Sequence, residues 1–142
     1  MKTGSRGRAA DRIENALELL LGGPLSTPYS APYRVVRQQR TYAIRHYGED
    51  GAFEPGSRPP VLFIPPLMVT SEVFDIDPAI SGVKAIMNQG IDVWLTDFGA
   101  PETQEGGMER DLRDHVLAVS ETIDEIVRQT QRDVHLIGYS QG

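Results

Sequence analysis

The sequence predicts an α/β fold with a mainly parallel sheet and an antiparallel hairpin at its edge. Three observations carry this. Val61–Ile64 is a short continuous apolar run bounded by Pro59-Pro60 and Pro65-Pro66, which suits a strand buried on both faces, and Val134–Ile137 is a second strand pattern, expected buried, that runs into Gly138. Between them, helical patterns alternate with another strand pattern, and strands separated by helices imply right-handed crossovers and parallel pairing. Ahead of them, two β patterns flank a polar gap of hairpin length.

Taken in order, the first twelve residues are polar and basic, with Lys2, Arg6, Arg8 and Arg12 against Asp11, and read as a loose tail. Ile13, Ala16, Leu17, Leu20 and Leu21 then fall on one helical face, and Gly22-Gly23-Pro24 ends that helix. A basic tail before an amphipathic helix is one way to touch a membrane surface. A single short apolar face favours a helix docked on its own domain instead. Pro24, Pro28 and Pro32 mark an irregular linker. Residues 1–28 are therefore expected to be tail, helix and linker, and residues 29–142 the folded domain.

The hairpin strands are expected over Tyr33–Arg37 and Thr41–His46, joined by Gln38-Gln39-Arg40. Gly48 to Pro60 is rich in Gly, Pro and acids and reads as a loop. After the strand Val61–Ile64, a helix is expected from Ala79 to Gln89, stopped by Gly90. Ile91–Phe98 follows as a strand, then a loop from Gly99 to Gly107. Met108, Leu112, Val116, Val119, Ile123, Ile126 and Val127 step mostly by three and four, predicting a long helix from about Met108 to Thr130. The strand Val134–Ile137 runs straight into Gly138.

Composition narrows the function. With 142 residues, 39% of them hydrophobic, one domain with a real core is expected. The absence of Cys excludes a disulfide scaffold, a Cys-based zinc site and a Cys nucleophile within these residues, and none is assigned to a metal. Fourteen Lys and Arg against twenty Asp and Glu give a net charge of −6, which argues against a nucleic-acid partner. No run reaches the eighteen or so apolar residues of a transmembrane segment. The leucine-rich stretch Ala16–Leu21 is short, contains Glu18 and lacks a small-residue cleavage pattern, so no signal peptide is read and a cytoplasmic location is the default.

The chemistry concentrates in Gly138-Tyr139-Ser140-Gln141-Gly142, a G-x-S-x-G pattern placed directly after an apolar strand. A nucleophile elbow needs that context: a turn so tight that the serine takes a strained backbone and its hydroxyl stands above the sheet edge. Gly138 and Gly142 permit the close approach, Ser140 is the candidate catalytic nucleophile, and the Gln141 N–H is the first candidate oxyanion donor. The second donor is expected from the loop after Val61–Ile64, where Pro65 and Pro66 have no N–H, leaving Leu67 or Met68.

A serine also needs a base and usually a group to orient it. In this arrangement the acid and the His follow the serine in the chain. His46, His115 and His135 precede it and are read as structural or solvated. Asp97, at the end of a strand, is read as a carboxylate anchoring its own loop through backbone N–H groups. The base and acid are therefore expected beyond Gly142, in a C-terminal continuation of the chain.

From about Tyr29 onward the chain resembles the N-terminal half of an α/β-hydrolase domain of the polyhydroxyalkanoate-synthase-like type. The resemblance rests on Pro65-Pro66-Leu67, on Val93-Trp94-Leu95 with Asp97, on Asp114-His115-Val116 and on Val134 to Gly142. Pro65 to Thr70 and Gly106-Gly107-Met108-Glu109-Arg110 also resemble hydrolase-like regions at the head of large bacterial acyl-CoA synthetases, where an AMP-forming ligase module follows. The synthases carry Cys at the nucleophile position and usually an Asn after the double Pro, whereas Ser140 and Val69-Thr70 stand here. Serine forms an oxygen ester that water can clear, favouring hydrolysis or single acyl transfer over polymer growth.

The expected activity is thus an acyl-processing serine hydrolase or acyltransferase on an ester or acyl thioester. Coenzyme A is implied by the resemblance only as a leaving group, and no cofactor is expected in this segment. The alternative is an auxiliary, non-catalytic region of an acyl-CoA synthetase. The 142 residues by themselves are expected to be inactive.

Overall fold

The computed structural model describes residues 30–48, 56–67 and 69–142; the expected tail and helix of residues 1–28 lie outside them, as does Met68. The strands are β1 (Tyr33–Gln38), β2 (Ala43–Tyr47), β3 (Pro60–Ile64), β4 (Asp92–Asp97) and β5 (His135–Gly138). The helices are α1 (Gly82–Met87) and α2 (Leu112–Thr130), with a 3-10 turn at Ser71–Phe74.

The five strands form one sheet in the order β1-β2-β4-β3-β5. β3 runs parallel to β4 and to β5, with Leu62 opposite Trp94 on one side and Leu136 on the other. The sheet is mixed, which corrects the expectation of a mainly parallel one. β2 is antiparallel both to β1 and to β4, where Ile44 faces Thr96. The physical reason is in the residues of β2: Ala43, Ile44 and Tyr47 put apolar side chains on both faces, and lying beside β4 in the middle of the sheet buries them all. Only β1 remains at that edge, mostly exposed, with a register shift between Val35 and Arg37.

Side chains alternate across a strand, so the unbroken apolar run Val61–Ile64 feeds two cores. Ile44, Leu62, Ile64 and Trp94 pack with Ala118 and Ile126 of α2 on one face. Phe63, Val93 and Leu95 pack with Tyr47, Ala31 and Val83 of α1 on the other.

Both helices start later than the apolar periodicity suggests, because a capping residue decides. The Asp111 carboxylate accepts the Asp114 N–H at 2.9 Å and Asp114 accepts the Asp111 N–H at 3.0 Å, so α2 opens at Leu112 rather than Met108. Ser81 accepts the Lys84 N–H at 3.0 Å and opens α1 at Gly82 rather than Ala79.

Two buried carboxylates tie the layers. Asp92 accepts from the Trp94 indole N–H at 2.9 Å and pairs with His46 Nε2 at 2.5 Å, while the His46 and Trp94 rings stack 4.1 Å apart. Glu125 on α2 accepts from Arg37 of β1 at 2.7 Å, from Gln129 at 2.7 Å and from Arg128.

Removing the first carboxylate leaves two buried polar groups unpaired, so Asp92→Ala is expected to lower unfolding free energy by about 2–4 kcal/mol in urea titrations. The second carries a pH signature. The Arg128 hydrogen bond, joined by Gln129 and Arg37, outweighs burial and holds the Glu125 pKa below its ordinary value. A depressed folded-state pKa stabilises fully above the unfolded value, about 4.3, and loses that contribution as pH falls through the folded one. Glu125→Gln should therefore be less stable than the parent near pH 7, with the two urea midpoints converging below about pH 4.

Candidate functional site

The end of β5 is joined to the end of β3 through the backbone. The Tyr139 N–H donates to the Ile64 carbonyl at 3.3 Å, and the Gly142 N–H donates to the Tyr139 carbonyl at 2.9 Å, closing a turn around Ser140. Ser140 sits at φ 57°, in the left-handed region. For a residue with a Cβ that conformation costs about 1–2 kcal/mol. Its side chain is exposed, and its Oγ donates to Gln141 Oε1 at 3.1 Å.

Two glycines make this turn possible. A Cβ on Gly142 would lie 2.0 Å from the Ile64 carbonyl oxygen, and one on Gly138 would lie 2.3 Å from the Gly142 oxygen. No side chain fits at either place.

The loop after β3 meets the turn. Leu67, Gln141 and Gly142 line a common cleft of ≈ 200 Å³, together with Phe98, His115 and Val116. The two described donor candidates, Leu67 and Gln141, are thus brought to one place, while Met68 falls outside the described residues.

Of the three histidines, His115 lines that cleft, and His46 and His135 do not. His46 is buried under Trp94 and held by Asp92, and His135 is exposed at the start of β5. His115 is buried on α2, its ring 4.4 Å from Phe98. Its Nδ1 pairs with the Asp111 carbonyl at 2.9 Å, and since a carbonyl only accepts, Nδ1 is the donor. Its Nε2 is buried without a partner among the described residues. A buried polar atom left so costs about 1–3 kcal/mol. That atom is not legible in the sequence, where Asp114-His115-Val116 gives no sign of which nitrogen finds a partner.

Asp97 anchors its loop, accepting the Gly99 N–H at 3.0 Å. It also pairs with Arg45, whose guanidinium lies 4.3 Å from the Tyr33 ring centre. Sequence reading missed Arg45; the signal is a lone charge between Ile44 and His46 in an otherwise buried strand. With Tyr33, Tyr47, Glu72, Asp75 and Asp97 it lines a cavity of ≈ 390 Å³. Burial pushes the Tyr47 phenol up to about 12, against the opposing pull of Arg45. The Gly106 to Arg110 segment is structural: Arg110 donates to the Thr41 carbonyl at 2.9 Å and to the Phe98 carbonyl, tying the loop to the ends of β2 and β4. No cluster of metal-ligating side chains occurs among the described residues. No helix among them is long and apolar enough to cross a membrane.

Comparison with curated proteins finds a distant relative, the poly(3-hydroxyalkanoate) polymerase subunit PhaC of Haloferax mediterranei, 28% identical over 136 residues. The match covers 94% of this chain and 25% of that protein, so the chain spans about a quarter of its relative's length. No protein-family profile matches the chain. No solved structure matches it either.

The geometry predicts opposite outcomes for two substitutions in the turn. Ser140→Gly should raise stability by up to about 1 kcal/mol, because the left-handed strain is relieved at a modest entropic cost. Gly142→Ala should lower the urea midpoint, since its Cβ would overlap the end of β3.

Proposed function

We propose that the chain carries the nucleophile of an acyl-processing enzyme of the α/β-hydrolase type, with Ser140 attacking an ester or acyl-thioester carbonyl. The supporting observation is the left-handed Ser140, exposed at the end of a strand whose parallel neighbour sends its loop to the same cleft. The distant relative's name, a polymerase of hydroxyalkanoate units, is in keeping with acyl chemistry.

In this reading Oγ bonds to the acyl carbon, its proton passes to a base, and the carbonyl oxygen gains charge between the N–H groups of Gln141 and Leu67 or Met68. Collapse expels an alcohol or a thiol such as coenzyme A. Water then attacks the acyl-serine and restores Ser140, or an acceptor alcohol takes the acyl group. An oxygen ester at Ser140 favours this single turnover of the acyl group over repeated chain extension. His46 and His135 stand apart from the cleft and His115 precedes the serine, so the base and its orienting acid come from residues following Gly142 in a longer chain.

The test compares the 142-residue chain, a chain extended to the end of its reading frame, and the extended Ser140→Ala variant on short and long acyl thioesters. The extended chain should turn over substrate. Ser140→Ala should lower kcat by about a thousandfold or more, and the 142-residue chain should show no turnover. Unchanged turnover in the Ala variant would place the chemistry in another module, the auxiliary-region alternative. Turnover by the 142-residue chain would mean that one of its own histidines is the base.

A further inference from the structure

The connection from β3 to α1 shows apolar side chains to solvent. In Ile76-Asp77-Pro78-Ala79-Ile80 every apolar residue is exposed, Ile76 at 59% and Ile80 at 70%. Single exposed apolar residues are ordinary, whereas a run of them marks a contact surface. The run is also held in shape. Asp77 accepts the Ala79 N–H through its carboxylate at 2.8 Å and the Ile80 N–H through its carbonyl at 3.1 Å. Asp75 and Ser81, which flank the run, are buried, and the Ser81 hydroxyl donates to the Asp75 carboxylate. With both ends fixed in this way, the two isoleucines are kept at the surface.

The same Asp75 carboxylate accepts the Ala31 N–H at 2.5 Å. The N-terminal segment therefore joins the domain at the run itself: Ile76 adjoins Asp75, Ile80 adjoins Ser81, and Asp75 binds both Ser81 and Ala31. We propose that residues 13–21 dock here, laying the apolar face of Ile13, Leu17, Leu20 and Leu21 on Ile76 and Ile80.

Three arguments single out this occupant. The first is reach, since residues 22–29 span up to about 28 Å when extended, and connections of about two to eight residues suffice to bring a helix back against its neighbour. The second is need: a helix as short as this one is expected to be is marginal in water unless its apolar face packs. The third is charge. Lys2, Arg6, Arg8 and Arg12 outnumber Asp11 ahead of that face, and Glu72 and Asp77 stand exposed beside the run. The exposed apolar residues of α2, such as Leu112 and Val116, lie across the sheet, because Ala31 packs with Phe63 and Val83 on the α1 face. Docked on the run, the segment braces the β3–α1 connection, whose other end carries Leu67 and Met68.

The absence of cysteine permits a direct test. Ile76→Cys and Ile80→Cys are made singly and labelled with a thiol reagent in the otherwise unchanged 142-residue chain and in one carrying Leu17→Asp with Leu20→Asp. Both thiols should label on the order of tenfold or more faster in the Asp background, through loss of protection by packing. Leu136→Cys, at an exposed residue of β5, should label alike in both. If it too speeds up, the Asp pair has disturbed the whole domain and a reciprocal pair decides. There Leu17→Cys should be protected and should be released on the same scale by Ile80→Asp, a change at an exposed position. Equal rates with and without the Asp changes would overturn the proposal. So would protection that is lost on dilution, which makes a second copy the occupant. A Leu17→Cys thiol that labels fast in solution and is protected only on phosphatidylglycerol vesicles would overturn it in favour of a lipid surface. Labelling reads packing alone, so the outcome is independent of turnover at Ser140.

Discussion

β4 accepts β2 along one edge and β3 along the other, so its six residues join the antiparallel part of the sheet to the parallel part. Among the described residues nothing else connects them in the sheet. The strand is buried from Asp92 to Thr96 and carries a carboxylate at each end. Asp92 at its start holds Trp94 and His46, fixing β2 to β4 through side chains as well as through the ladder. Asp97 at its end holds Arg45 and the Gly99 N–H, so the loop that leaves the sheet is anchored where it departs. Between the two carboxylates Val93, Trp94 and Leu95 supply both cores, and buried Thr96 ties the strand to α2 by donating to the Thr122 hydroxyl at 3.1 Å.

From that frame the strain at Ser140 becomes affordable. The left-handed turn is unfavourable by about 1–2 kcal/mol, and what holds it is backbone contact rather than side-chain packing. The Tyr139 N–H binds the end of β3, and Gly142 lies against the Ile64 carbonyl with no room for a methyl group. β3 is therefore both the neighbour that aligns β5 and the surface that fixes the turn. The same strand sends out the Pro65-Pro66-Leu67 loop, so the nucleophile candidate and its donor candidate Leu67 are set by one strand end. The pair of prolines contributes by what it lacks: without N–H groups at Pro65 and Pro66, the first available donor of the loop is Leu67.

Much of this was legible in the residues. Val61–Ile64 announces a buried strand by its unbroken apolarity, and it lies parallel beside the strand expected at Val134–Ile137. That second strand is not the buried run the sequence suggests: β5 pairs only with β3 among the described residues, and His135, Leu136 and Gly138 stand exposed. The turn residues identify the place where the backbone must be tight. Less legible was the pairing of β2. The hairpin pattern shows that Ala43–Tyr47 pairs with Tyr33–Gln38, but the burial of both faces of β2 arises only from contacts with β4 and the helices. Helix starts were missed for a local reason, since apolar periodicity runs through Met108 while the Asp111–Asp114 cap sets the boundary. Arg45 and His115 are tertiary facts. A charge in a strand and a His on a helix say nothing by themselves about Tyr33, Asp97 or an Nε2 without a partner among the described residues.

The serine turn and the cleft beside it pose one mechanical problem. A strained serine acts as a nucleophile only if its hydroxyl and the oxyanion donors hold their positions while charge develops. On the β3 side Ser140 is held by Ile64 and Gly142. On the α2 side Gln141 borders an apolar cleft whose walls, Val116 and Leu112, stand largely exposed. Leu67 and Gln141 stand at the ends of the two strands that the Tyr139-to-Ile64 hydrogen bond joins, so the β3–β5 contact that fixes the strained turn also sets the spacing between the nucleophile candidate and its donor candidates.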